Sequence, residues 1–318
     1  MQLTSAEVLS NQPLEGRKQK RRMSKRERRH ILTDWAFISP QLFLFVLLTI
    51  VPLFVAIPIL FTDMSGFNDP QVNPVGFRNF TAIFTDPSVQ KDYFPALRRT
   101  VIFVILNYTT VFIFGLSLAL LIYEVGFRGG FFSVVYLPLM VSGLGVGYLA
   151  VMLFSRETGT ANLLLVELGI IEKGLNIYTA RGTALILPLM VGWRYAGYNM
   201  AIFLAGLLAI PRDTIESAIV DGASYWQRLI RVYFPQMWAS FILATTMCLI
   251  GSFAVFDELV AMGGLYVNPE AKFLSVLFFT YGFQIDRLAL GLTLAMQTFL
   301  PLVLIGVALQ RLQRRTQL

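Results

Sequence analysis

Six stretches of the chain are almost free of charge: 36–61, 101–123, 131–154, 184–210, 238–256 and 288–309. Each approaches or exceeds the roughly 20 mostly apolar residues with which an α-helix crosses about 30 Å of hydrocarbon. Five contain no Asp, Glu, Lys or Arg, and the fourth contains one, Arg194. The pattern predicts an all-α integral membrane protein with six transmembrane helices. The first apolar run is too long for the h-region of a signal peptide, and no A-x-A-like site follows it, so it reads as a span. The segment between the first two spans, 62–100, is aromatic and punctuated by Pro and Gly, which predicts a short interfacial structure. The connector 124–130 is minimal, and 211–235 is long enough to hold structure of its own.

Composition agrees with that pattern. Hydrophobic residues make up 56% of the 318 residues and charged ones only 14%, against about a quarter charged in soluble domains. The formal charge of +7 is uneven, because nine cations lie between Arg17 and Arg29. A basic run of this kind binds nucleic acid in some soluble proteins. Here an apolar span follows at once, so it reads as a juxtamembrane cytoplasmic anchor with no nucleic-acid role. With the N-terminus inside, the inner segments hold sixteen Lys and Arg, among them Arg128, Arg212, Arg228, Arg231, Arg311, Arg314 and Arg315. The longer outer segments hold nine. The positive-inside rule therefore puts both termini in the cytoplasm. This divides the chain into a basic tail (1–34), a six-helix domain (35–310) and a short basic tail (311–318).

Metal and nucleotide chemistry find no support. One His and one Cys, Cys248, leave no Cys/His cluster, and no GxxxxGK[ST] loop is present. Gly143, Gly145 and Gly147 imitate a nucleotide fingerprint, but they lie inside an apolar span. Gly143 with Gly147, and Gly115 with Ala119, have the small-xxx-small spacing of helix packing.

Residues 211–235 read PRDTIESAIVDGASYWQRLIRVYFP. Asp213 with Glu216 three residues on predicts a capping-box-like helix start, and Gly222 a left-handed stop. Ser224 with Gln227 predicts a second capped helix, which Pro235 would close. The expectation is two short helices lying under the membrane, joined at Gly222.

The spacing of Glu216-Ser217-Ala218, then Gly222, then Val232, Phe234 and Pro235, with Asp221-Gly222-Ala223, resembles the cytoplasmic EAA signature of bacterial ABC importer permeases of the maltose and glycerol-phosphate type. Ser217 stands in place of the first Ala, and Val232 and Phe234 in place of the usual Ile and Leu. Phe61-Thr62-Asp63, Gly76-Phe77-Arg78-Asn79-Phe80, Asn199, Phe203-Leu204-Ala205-Gly206-Leu207 and Ile210-Pro211 extend the likeness from about residue 36 onward. Met262-Gly263-Gly264 keeps only part of the Gly-rich stretch the family shows after span five. The resemblance implies the type I importer permease fold, with a coupling helix between helices 4 and 5. It also implies a bacterial inner-membrane location, a second similar permease, an extracytoplasmic solute-binding protein, and two ATPase subunits that bind ATP and Mg. This chain itself would hold no cofactor and catalyse no reaction. The coupling set would be Asp213, Glu216, Ser217, Ala218, Asp221, Gly222, Ala223 and Pro235.

The solute path falls on spans four and five. Arg194 lies near mid-depth, and an intramembrane charge usually faces a cavity or a partner. Trp193, Tyr195, Tyr198 and Asn199 surround it in sequence, and Thr245, Cys248, Ser252 and Phe256 supply a facing wall. Aromatic rings suit sugar stacking, while Arg194 and Asn199 suit hydroxyl or carboxylate recognition, so an acidic sugar is compatible with this set. Pairing of Arg194 with Asp257 or Glu258 is the structural alternative. The rival function, a secondary transporter driven by an ion gradient, calls for intramembrane carboxylates. The six spans as drawn contain none.

Overall fold

The computed structural model describes residues 25–69, 72–126 and 129–316. Residues 17–24 of the predicted anchor (17–29), Arg128 and the last two residues of the C-terminal tail lie outside the described residues. The described chain is helical, with no strand and one isolated bridge, Thr62 to Pro74.

The described part of the N-terminal unit, which ends at Ile57, is helical; it holds all but the last two residues of α1 (25–59), built from Lys25–Phe45, a π-helical turn at Val46–Ile50, and Val51–Ile59. Pro52 explains the π turn. Lacking an N–H, it cannot donate four residues back, and its ring crowds the preceding turn, so the helix widens just before it. The Val51 N–H accordingly donates to the Val46 carbonyl, five residues back.

The second unit begins at Pro58. Its helices are α2 (Arg78–Thr85), α3 (Pro87–Val125), α4 (Gly129–Tyr136), α5 (Gly143–Leu153), α6 (Thr160–Glu167), α7 (Ala180–Leu208), α8 (Arg212–Val220), α9 (225–236), α10 (Trp238–Phe253), α11 (Asp257–Ala261), α12 (Leu274–Phe283) and α13 (Leu288–Thr316). Among the described residues, four helical segments are long and apolar enough to cross a membrane: Thr33–Ile59, Pro87–Val125, Trp238–Ala261 and Leu288–Gln313. A bent pair, Gly130–Met140 with Gly143–Leu153, makes a fifth if it counts as one span. The expected fourth span lies in α7, which has the length to cross at about 1.5 Å per residue but is less apolar. It is also the central helix: it packs along α3 for much of its length and also touches α5 and α10. Its Gly182, Thr183, Gly192, Gly197 and Asn199 are buried against protein rather than turned to lipid.

Three expectations are corrected. The segment 87–100 is not part of a loop, because Asp86 caps α3 through Ser88 N–H and Pro87 supplies the preset φ of a first helical turn, so the second helix starts there. The third span is not straight. Pro138 lies in the 3-10 segment Leu137–Met140, Ser142 then caps a new helix, and the two halves meet at 91°. The stretch after span five holds α11 and α12. The latter is ten residues long, too short to read as a span, and packs with α3 and α13.

Glycine decides the closest approach in this unit. A Cβ on Gly147 would sit 2.6 Å from the Ala261 Cβ and from the Glu258 carbonyl oxygen, and one on Gly143 would sit 2.7 Å from the Asp257 Cβ. The small-xxx-small face of the sequence is therefore the seat of α11 on α5. Gly115 does the same for α3 against Asn199 of α7.

Candidate functional site

Two regions carry the polar chemistry of this chain, an internal cavity and an exposed loop. The cavity measures about 510 Å³ and is bounded by α3, α7, α10 and the turn into α11. Arg194, Tyr195, Tyr198, Asn199, Cys248, Ser252 and Phe256, all predicted for the solute path, line it. Trp193 and Thr245 do not. At 100° per residue Trp193 lies about 100° around α7 from Arg194 and about 140° from Tyr198, off the cavity face, and it is exposed. Thr245 shares a hydrogen bond with the Tyr108 hydroxyl (3.2 Å) and donates to the Phe241 carbonyl, so its polarity is consumed between helices.

Arg194 is paired. Its Nη1 lies 2.7 Å from Glu258 Oε1, and both side chains are mostly buried, 16% and 7% exposed. The guanidinium also stands 5.2 Å from the Tyr195 ring centroid. Glu258 sits in the first turn of α11, where the helix N-terminus favours a carboxylate. Phe256 breaks the helix before it, with φ −144° and ψ −55°. The sequence boundary at 256 left Asp257 and Glu258 outside the fifth span, and the apolar helical segment Trp238–Ala261 reaches far enough to include both at its end.

Asn107 of α3 joins this site although its sequence context gave it no role. It is 4% exposed, and its Nδ2 donates to Ser252 Oγ at 2.9 Å, with the Cys248 sulfur at 3.8 Å. The available signal was a lone amide inside an uncharged span. Asn199, in contrast, donates to the Tyr195 carbonyl (2.9 Å) on its own helix, which engages one of its two amide N–H donors.

The loop between α7 and α10 is built differently. None of the nine residues of α8 is buried. Pro211, not Asp213, occupies the cap position, and no side chain closes the start. Asp213 lies in the first turn, leaving a favourable charge–dipole arrangement without the capping box expected from Asp213 and Glu216. Ser217 donates to the Thr214 carbonyl. Past Asp221, Gly222 takes φ +77° with open space where a side chain would be, and Ala223 N–H returns to the Ala218 carbonyl. The second box forms as read: Ser224 Oγ accepts from Gln227 N–H, and Gln227 Oε1 accepts from Ser224 N–H. Pro235 does not close α9 as expected. Ahead of it Leu229–Tyr233 widens into a π turn, the device seen before Pro52, and the helix runs on to Gln236. Leu229 and Tyr233 anchor α9 in the core formed by α3 and α7. Burial, reinforced by the charge of Glu124, pushes the Tyr225 and Tyr233 hydroxyls above their ordinary pKa. Glu216, Arg212 and Ile215 edge a groove of about 390 Å³ against Tyr123, Leu208 and Ile210.

No family model matches the chain. It is similar to a probable starch degradation products transport system permease protein of Thermoanaerobacterium thermosulfurigenes, 26% identical over 274 residues, covering 86% of this chain and 91% of the relative. It is also similar to a xylose/arabinose import permease protein of Haloferax volcanii, 29% identical over 252 residues, 78% of this chain and 76% of that one. Among solved structures, a chain of a bacterial alginate ABC transporter in complex with an alginate pentasaccharide-bound periplasmic protein superposes with a TM-score of 0.74. That match is 22% identical and covers 91% of this chain and 96% of the other. The inward-facing MetNI methionine ABC transporter matches more loosely, with a TM-score of 0.51 over 73% of this chain. The fold is that of ABC importer permeases.

Proposed function

We propose, on the premise that this chain is an ABC importer permease by fold and by sequence kinship, that it forms half of a translocation path for a sugar or oligosaccharide. Hydrolysis of ATP takes place in partner ATPase subunits, which hold the nucleotide and Mg; this chain is non-catalytic. Kinship with importer permeases supports a bacterial inner-membrane placement, and the charge distribution supports both termini in the cytoplasm. A second permease and an extracytoplasmic binding protein complete the assembly.

One observation carries the coupling role: α8 has no buried residue, yet the chain leaving it is fixed in place. The positive-φ Gly222 and the Ser224–Gln227 capping box fix its exit, and the buried Leu229 and Tyr233 tie the following helix to the core. A helix with so little packing of its own is suited to dock on another protein and pass its movement inward. Glu216 supplies an exposed charge for that contact, Ala218 and Ala223 are small enough for close approach, and Gly222 sets the bend. Asp213, Ser217, Asp221 and Pro235 belong to the same docking element. The solute path runs by the cavity at Arg194, Tyr195, Tyr198, Cys248, Ser252 and Phe256. Asn199 belongs to the same wall, while Trp193 and Thr245 stand outside the lining.

Purification of the tagged chain from its native membrane tests this. An ATPase subunit is expected to remain bound and to be lost on Glu216→Lys, while the permease stays in the membrane. Retention of the ATPase by the Glu216→Lys variant together with normal ATP-driven uptake defeats the coupling assignment. Absence of any ATPase partner for the wild-type chain defeats the permease reading.

A further inference from the structure

We infer that an anionic phospholipid, from the leaflet opposite the coupling loop, seats in a groove between the ends of α3 and α7 remote from that loop, its phosphate on Arg98 and an acyl chain along Ile102 and Ala184. The inference needs the membrane placement of this chain and is independent of its solute.

Depth comes first. Tyr123 of α3 borders the groove at Glu216, on the side of the coupling loop. Arg98 precedes it by 25 residues on the same helix, and no proline interrupts that stretch. At about 1.5 Å per residue the two lie roughly 38 Å apart along the axis. That length exceeds the roughly 30 Å of hydrocarbon and approaches the 40–45 Å that includes both headgroup layers. With Tyr123 at one headgroup level, Arg98 therefore stands at the other. The apolar runs of the sequence begin at Val101 and Ala184, so the residues around Arg98 straddle the boundary where both helices enter hydrocarbon.

Shape and charge come second. The groove there measures about 460 Å³ and its wall is mostly apolar. Phe94, Arg98 and Ile102 follow one another at i, i+4 along one stripe of α3, and all three are exposed. Ala180 and Ala184 give the facing wall of α7 little bulk. The floor is built from the core: the rings of Phe103 and Phe273 are buried with their centroids 5.6 Å apart. Three charges line the groove, Arg98, Arg99 and Glu270, for a sum of +1. Arg99 Nε donates to Glu270 Oε2 at 2.8 Å, so that pair is balanced. Arg98 forms no ion pair among the described residues. Its planar fork matches a phosphate in two parallel hydrogen bonds. A cation at this level needs only the headgroup layer to snorkel into. The apolar slot beside it serves no free anion but fits an acyl chain. Because that slot reaches Ile102, Phe103 and Ala184, inside the apolar runs, a lipid suits it better than a soluble protein does.

Native mass spectrometry of the complex purified with this chain, stripped of endogenous lipid, tests this with added phosphatidylglycerol and phosphatidylcholine of the same acyl chains. Phosphatidylglycerol is expected to bind about 5-fold or more tighter, as one arginine near an anionic headgroup gives. Arg98→Gln is expected to erase that preference with assembly and phosphatidylcholine affinity unchanged, and Arg98→Lys to keep most of it. Ala184→Trp, which fills the slot, is expected to weaken both lipids alike. Should it fail to assemble, Ile102→Ser is expected to do the same. Equal loading of wild type and Arg98→Gln, equal affinity for the two lipids, or release of phosphatidylglycerol by millimolar inorganic phosphate overturns the lipid assignment. So does amide exchange across 94–103 that slows on adding the solute-binding protein but not on adding phosphatidylglycerol, which gives the groove to that protein. Solute is absent throughout and recovery of the ATPase is scored separately, so failure here is distinguishable from failure of the permease reading.

Discussion

The loop around α8 and the cavity around Arg194 both hold polar residues in an apolar chain, yet they are stabilised in opposite ways. In the loop the features that shape α8 and its exit are local: a positive φ at Gly222, a capping box spanning Ser224 to Gln227, and a π turn that accommodates Pro235. Leu229 and Tyr233 of α9 are its buried links to the core. In the cavity the essential contacts cross long stretches of sequence: Arg194 with Glu258, Asn107 with Ser252, and Gly147 with Ala261. A locally held element can move as a unit without disturbing the core. A site held by distant partners is rigid only while all of them are present. This division suits a protein in which one region receives motion and the other must keep its shape.

The contrast yields expectations in order of size. Gly147→Val should be the most damaging, because its Cβ would overlap the Ala261 Cβ and the Glu258 carbonyl at 2.6 Å. The yield of monodisperse complex on size exclusion is expected to collapse, and near-normal yield would mean that α11 does not seat as described. Glu258→Leu comes next. It leaves a mostly buried guanidinium unpaired, which costs about 3–5 kcal/mol, and a marked fall in thermal melting temperature is expected. Adding Arg194→Met should return most of that loss, whereas an equal fall in the double variant would show that the pair is not the cause.

Effects in the loop should be smaller on stability and larger on coupling. Gly222→Val meets no clash but must hold φ +77°, a left-handed strain of about 1–2 kcal/mol for an L-residue. Assembly is expected to survive while uptake separates from ATP hydrolysis, and fully coupled uptake would contradict the docking role. Ser224→Ala removes one half of a capping box and should cost about 1 kcal/mol, read as faster local amide exchange across 224–228.

The smallest expected effect lies outside both regions. Ser88 hydrogen bonds hold the Asp86 carboxyl below its ordinary value of 3.8. Because the folded-state pKa is the lower one, the contribution is complete above the ordinary value and is lost as pH falls through the depressed one. Asp86→Asn should therefore flatten acid-induced fraying at the start of α3 and leave behaviour near neutrality unchanged.

The same contrast governs how much could be read from sequence. Gly222 and the Ser224–Gln227 box were legible because a few adjacent residues determine them. Asp213 was misplaced by one such rule: Pro211 already supplies an extended entry to α8, so the side-chain cap is not formed. Apolar length announced the long helices, but it could not distinguish a straight crossing from the 91° bend at 137–142. It also hid the helical start of α3, since 87–100 is polar enough to resemble a loop. Glu258 was legible only as one of two candidate partners for Arg194, with Asp257, because the helix break at Phe256 hides which of them turns inward; α12 was not legible, since ten residues fall below the length that periodicity can resolve.

Composition and local spacing alone established a helical membrane chain with a structured loop before α10, because burial in lipid and helix capping act on neighbouring residues. Only the folded structure decided that Arg194 is neutralised, that Asn107 faces the cavity, and that Trp193 turns away. Those outcomes depend on which faces of distant helices meet, and glycines at 115, 143 and 147 permit contacts that no local pattern encodes.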